Sequence, residues 1–178
     1  MKKRYFNCQE LVVMGVFAAS TKVVTLIIAL AGGGPNPISI MLKNMVFTTL
    51  LVVLIYKIPK FGTLTLFNLI SAIVSLIFLG GGVTSIPLVL MCALLSELLV
   101  MCLGGYKRFY APIACVAFFD LFSRLGSIGL SYLFMREMPE MLLMVALIIA
   151  VGYVGAIIGL FTGLYSAREL RHAGIINK

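Results

Sequence analysis

The sequence predicts an all-α integral membrane protein, one domain built as a bundle of six transmembrane helices with both termini in the cytoplasm. Composition is the first observation behind that. Of 178 residues, 62% are hydrophobic and 11% charged, with a mean hydropathy of +1.14, where a soluble domain carries roughly 25% charged residues. The second is the spacing of apolar runs close to the roughly 20 residues that cross a bilayer, separated by glycine, proline and lysine. The third is where the charge falls. The N-terminus, the second and fourth breaks and the C-terminal tail hold Lys2, Lys3, Arg4, Lys57, Lys60, Lys107, Arg108, Arg168, Arg171 and Lys178, while the other three breaks hold only Arg136. That alternation places both ends inside. It also explains the net charge of +8 as a set of topology signals in short clusters, with no basic arm or helix face for nucleic acid.

The first helix is expected over about 10–31. Lys2, Lys3 and Arg4 ahead of it resemble a signal-peptide n-region, and Ala18, Ala19 and Ser20 are small enough for a cleavage site. The apolar run continues through Val23 to Ala31, however, too long for an h-region, so it reads as a retained span. Gly32 to Pro37, GGGPNP, breaks the chain, since no helix continues through it. The second helix covers about 39–56, KIPKFG turns, and the third covers about 63–79 before Gly80 to Gly82. The fourth covers about 85–103 and ends at Gly104-Gly105. The fifth, about 111–134, is APIACVAFFDLFSRLGSIGLSYLF. A polar loop with Arg136, Glu137, Pro139 and Glu140 precedes the sixth, about 141–166, and 167–178 forms a cytoplasmic polar tail.

Five ionisable residues fall inside the spans: Lys22, Lys43, Glu97, Asp120 and Arg124. Each ionised group at a helix centre costs on the order of 2.5–3.5 kcal/mol by insertion scales, so such groups face protein or water, pair, or mark a pathway. Asp120 and Arg124 lie at i and i+4, one turn apart on one helix face. Two readings are open for them: a structural ion pair, or the wall of a polar cavity in which Asp120 orients Arg124 for a bidentate contact with a ligand carboxylate or phosphate. Helix direction and rise place Lys22, Lys43, Asp120 and Arg124 together in the outer half, three cations against one anion. A ligand carboxylate or phosphate would balance that surplus. Lys43 also lies near enough to a helix end to snorkel to the headgroups. Glu97 lies in the inner half, where a hydroxyl, backbone or lysine partner would make it structural.

Small residues recur four apart in the sixth helix at Gly155, Gly159 and Gly163, and in the first at Gly15 and Ala19, with Ala18 beside them. Such stripes let helices approach closely, within the chain or on a partner subunit. Cys8, Cys92, Cys102 and Cys115 form no C-x-x-C pair, and His172 is the sole histidine. Neither a metal site nor a cofactor site is expected from them. Hydrolase, metalloprotease and nucleotide-binding motifs are absent from the sequence, so no enzyme activity is expected, and ATP-driven transport would require a separate ATPase.

Over its full length the chain resembles the substrate-binding S components of energy-coupling factor (ECF) transporters, a division of the ABC transporters, and more narrowly their Trep_Strep group. The features that carry this are small size, six helices, the first-helix stripe, GGGPNP, the KIPKFG turn, the GGYK turn and the tail ARELRHAGI. The resemblance implies a membrane protein that captures a vitamin-like micronutrient outside and docks on a membrane coupling subunit driven by two cytoplasmic ATPase subunits. It implies a site at the outer ends of helices four to six under the first external loop, with Asn36, Asp120, Arg124 and Tyr153. The family's docking motif is Ala-x-x-x-Ala, where this chain has Gly15-x-x-x-Ala19. Metal-binding relatives use an N-terminal Met-His segment, and MKKR is not one. Two other readings stand beside it: a stand-alone transporter with Asp120 and Glu97 on a proton path, and a ligand-free membrane scaffold.

Overall fold

A computed structural model describes residues 5–32, 36–79, 86–106, 110–135 and 139–172. These form six helices: α1 (Cys8–Ala31), α2 (Pro37–Lys57), α3 (Thr63–Leu79), α4 (Ile86–Cys102), α5 (Ala111–Met135) and α6 (Pro139–His172). Four are long and apolar enough to cross a membrane, namely those starting at Cys8, Pro37, Ala111 and Pro139. The other two are shorter apolar helices of 17 residues each, which at 1.5 Å per residue extend about 26 Å. The glycine run 80–82, Lys107 and Arg108, residues 136–138 and the tail beyond His172 lie outside the described residues, as do positions 33–35 of the first break.

Every boundary but the end of α6 lies within two residues of the sequence reading, and two of the differences have a plain cause. Pro37 does not precede α2 but opens it, because a first-turn proline lacks only an N–H that would be unpaired there anyway. The polar tail is helical through His172. Ala167, Arg168, Glu169 and Leu170 are all good helix formers, and Ala167 is buried, so nothing stops the helix where the hydrophobic run ends.

The two tight turns use glycine where backbone geometry demands it. Gly62 adopts φ 90°, and Gly104 and Gly105 adopt φ 112° and 74°, a region other L-residues rarely enter. At the cytoplasmic end, Lys60 of the first turn pairs with Glu10 at 2.7 Å. Glu10 also accepts the Asn7 backbone N–H at 2.9 Å, which ties the start of α1 to the α2–α3 turn.

Helix α6 lies along α2 on a glycine seam. A Cβ on Gly155 would meet the carbonyl oxygen of Met41, one on Gly159 would sit 2.6 Å from that of Met45, and one on Gly163 2.9 Å from Val52 Cβ. Across the same seam Thr49 and Thr162 share a hydroxyl hydrogen bond of 2.7 Å. Small-residue packing of this kind substitutes for the hydrophobic effect, which does not drive helix association in lipid.

The buried apolar core is confined to one end of the bundle. It comprises Met14 and Ala18 of α1, Leu51 to Ile55 of α2, Leu64 and Phe67 of α3, Cys92, Ala93 and Val100 of α4, and Cys115, Val116 and Phe119 of α5. With helix directions set by the loop charges, these lie in the cytoplasmic half of their helices, except Cys92 and Ala93 just outside the midpoint of α4. The filled part of the bundle thus lies toward its cytoplasmic end.

Candidate functional site

Above that core lies a cavity of about 390 Å³, to which all six helices contribute. α3 gives it Asn68, Ser71 and Ser75, and α5 gives Asp120, Ser123, Arg124 and Ser127. Both sets follow helical spacing, so each is a single polar stripe on an otherwise apolar helix. Lys22 enters from α1, Asn44 and Phe47 from α2, Ile86 and Val89 from the outer end of α4, and Ile149 from α6. The volume falls in the range of small-molecule pockets, roughly 300–1,000 Å³.

Arg124 is the most heavily engaged group in this wall. Its Nε donates to Asp120 Oδ2 at 2.9 Å and its Nη2 to Asp120 Oδ1 at 3.2 Å, a bidentate fork closed within α5. Nη2 also reaches Asn44 Oδ1 at 3.2 Å and the Gly152 carbonyl at 3.0 Å, and Nη1 donates to the Ile149 carbonyl at 3.0 Å. Close approach to those carbonyls requires Gly152, where a Cβ would stand 2.8 Å from Arg124 Nη1. Of the five guanidinium N–H donors, only one on Nη1 lacks an acceptor among the described residues. The fork is therefore not open to a ligand, which revises the bidentate role expected of Arg124. It joins α5 to α2 and α6 and can offer a ligand one hydrogen bond.

Lys22 is different. It is half-buried, it lines the cavity, and no hydrogen bond or ion pair engages it among the described residues. Nine residues separate it from the outer end of α1 at Ala31, about 14 Å along the axis.

The remaining residues singled out from sequence fall outside the cavity wall. Lys43 sits half-buried on α2 away from it. Asn36 is the exposed residue capping α2. Tyr153 lies behind Arg124, with its ring centroid 5.6 Å from the guanidinium carbon, a cation–π contact. Glu97 is fully buried in the inner half and caps α3. Its Oε1 accepts the Leu64 N–H at 2.8 Å and its Oε2 the Thr65 hydroxyl at 2.7 Å. The positive end of the α3 dipole favours an acceptor at that position.

On α1 the small residues divide. A Cβ on Gly15 would meet nothing within 4 Å, and Ala19 is exposed, as are Val12, Val16 and Val23 around it. Ala18 is fully buried, because one residue turns a helix by about 100°. It belongs to the core and not to the outward face, a correction to its place in the docking stripe.

The described residues form helices joined by turns, the outward surface is apolar and the loop charges alternate. The family model for a hypothetical bacterial integral membrane protein (Trep_Strep) matches residues 8–140, which takes in α1 through α5. The chain belongs to the Trep_Strep family. Neither a curated protein nor a solved structure matches it. As a Trep_Strep protein it is multi-pass and embedded in the membrane, and the polar cavity is the feature of its interior that packing does not account for.

Polar residues missing from the sequence reading supply much of that cavity: Asn44, Asn68, Ser71, Ser75, Ser123 and Ser127. The signal was available in their spacing. Asp120, Ser123, Arg124 and Ser127 occupy i, i+3, i+4 and i+7, and Asn68, Ser71 and Ser75 occupy i, i+3 and i+7, one face of a helix in each case.

Proposed function

We propose that this protein is the substrate-binding subunit of an ECF-type ABC importer. It captures a small, vitamin-like or cofactor-related molecule on the outer side and delivers it by docking on a membrane coupling subunit powered by separate ATPases. The observation that carries the reading is the contrast between a core packed toward the cytoplasmic end and a polar cavity that extends outward from the middle of the bundle. A scaffold has no need of such a space, since packing every helix pair to full density would be more stable. Phe47 and Phe119 offer apolar and ring surface, while the serines and asparagines offer donors and acceptors, the mixture that orients a small ligand.

The open face of α1 at Gly15 and Ala19 supports the docking half of the proposal. Burial of a partner helix there requires no rearrangement of the bundle. A proton-coupled transporter is less well supported. Glu97 lies outside the cavity wall that contains Asp120, and both of its oxygens are engaged at the start of α3, so the two acids share no path. A binder requires no chemistry of its own, in keeping with the lack of enzyme motifs in the sequence.

The test is to purify the protein from native membranes in lipid nanodiscs, denature it and identify released small molecules by mass spectrometry. A single stoichiometric compound, absent from an Ala72→Trp variant that fills the cavity, is the expected result. Release of none, in a protein that also fails to co-purify ATPase subunits, would refute the importer reading.

A further inference from the structure

We infer that Lys22 is the anion-binding group of the cavity and that the molecule accommodated there carries a single negative charge, a carboxylate being its simplest form. The inference rests on the cavity being the binding site proposed above and specifies the chemistry of its occupant. Three charged side chains line the cavity: Lys22, Asp120 and Arg124. Asp120 and Arg124 neutralise each other through both carboxylate oxygens and the fork of the guanidinium. The residual charge is one positive, and it is on Lys22.

A lone ammonium inside a bundle is unfavourable unless a counter-charge reaches it. No acidic residue among the described ones does so, and at this depth in α1 its stem is too short to carry the charge to the headgroups. Asp120 is already balanced by Arg124 through both of its oxygens, so a shared contact with Lys22 would still leave the three groups with one positive charge. A singly charged anion completes the balance. A dianion such as a phosphate monoester would reverse it and leave one negative charge in the bundle. The hydroxyls of Ser71, Ser75, Ser123 and Ser127 and the amides of Asn44 and Asn68 are neutral, so they can match ligand hydroxyl, amide or ring-nitrogen groups without altering the count.

The probe is a pair of thiol reagents of similar size and opposite charge, the sulfonatoethyl and trimethylammonioethyl methanethiosulfonates. They are applied from outside to a chain whose four native cysteines are replaced by serine or alanine and which carries Ser75→Cys. Ser75 lines the cavity on α3, near its outer end. Relative to their rates with 2-mercaptoethanol, the anionic reagent should be favoured over the cationic one by about tenfold or more, the scale of focusing by one charge in a low-dielectric cleft. Lys22→Met should abolish that preference and Lys22→Arg should retain it, and because the arginine variant keeps the charge it also controls for folding. Equal relative rates in the Lys22 protein, or a preference that survives in Lys22→Met, would overturn the assignment while leaving the cavity in place. If neither reagent modifies Ser75→Cys although both modify Asn36→Cys, no cavity opens outward, and the proposed site falls together with the anion group.

Discussion

Adding one methyl group at two glycines should have opposite effects on stability. Gly155→Ala places a Cβ against Met41, within contact distance of its carbonyl oxygen and 2.9 Å from its carbonyl carbon and Cα. All three are backbone atoms of a helix, so no side-chain rotation relieves the contact and α2 must move away from α6. Overpacking of this kind costs about 1–3 kcal/mol, and a rigid obstacle puts it near the upper end. Alanine recovers about 1 kcal/mol of helix propensity over glycine, which leaves a net destabilisation of about 2 kcal/mol. For a chain of this length that corresponds to a fall of roughly 4–8 °C in Tm. Gly15→Ala meets nothing within 4 Å, so only the propensity gain of about 0.5–1 kcal/mol remains. A thiol-reactive fluorophore reads both variants during a thermal ramp. Cys92 and Cys115 are buried and react on unfolding, and the exposed Cys8 and Cys102 are first replaced by serine. Gly155→Ala unfolding with the parent protein, or Gly15→Ala unfolding well below it, would refute the seam between α2 and α6 and the open face of α1.

Other outcomes follow from the same geometry. Glu97→Ala should destabilise the purified protein by about 2–4 kcal/mol, since it strands the Leu64 N–H and the Thr65 hydroxyl in the core; a normal unfolding temperature would contradict the capping role. Arg124→Lys keeps the charge but loses the donors to Ile149, Gly152 and Asn44, and should lower stability by about 2 kcal/mol, read in the same thermal ramp. Gly15→Leu or Ala19→Leu should abolish uptake in whole cells while leaving yield and thermal stability intact; a drop in stability would mean that the face packs within the chain. Cysteines at 57–60 should react only from the cytoplasm and those at 32–37 only from outside, and the reverse pattern would invert the bundle.

Much of the architecture was legible because the bilayer imposes it. Apolar length and the lysine and arginine alternation define six spans, and a chain in lipid has few other ways to satisfy its backbone. The rotation of each helix about its axis was not legible in the same way. A helix apolar all round has no polar face to set its phase, so Gly15 and Gly155 look alike in sequence although one faces outward and the other presses on Met41. The Asp120 and Arg124 spacing identified the right helix face, but whether Arg124 is free depended on Gly152, 28 positions away, and on Asn44, 80 away. Glu97 was placed at the right depth, but its partners are the Leu64 N–H and Thr65 hydroxyl at the start of another helix, a pairing between helices that sequence spacing does not reveal. The end of α6 was obscured because hydropathy marks where lipid ends, whereas helices end where capping or backbone chemistry stops them.

The closure of Asp120 and Arg124 within a single helix also bears on how the bundle is made. α5 leaves the ribosome before α6 exists, so at insertion its arginine has neither the Ile149 nor the Gly152 carbonyl to donate to. A partner one turn away on the same segment travels with it, and the segment enters the translocon as a near-neutral dipole. Asp120→Asn alone would leave the arginine uncompensated at that step and should reduce the fraction of chains that integrate, measured by glycosylation tags on either side of α5. Asp120→Asn with Arg124→Met should restore integration. The same pair therefore serves two stages of the protein's life: it escorts a charge into the membrane, and once α6 arrives it holds three helices together.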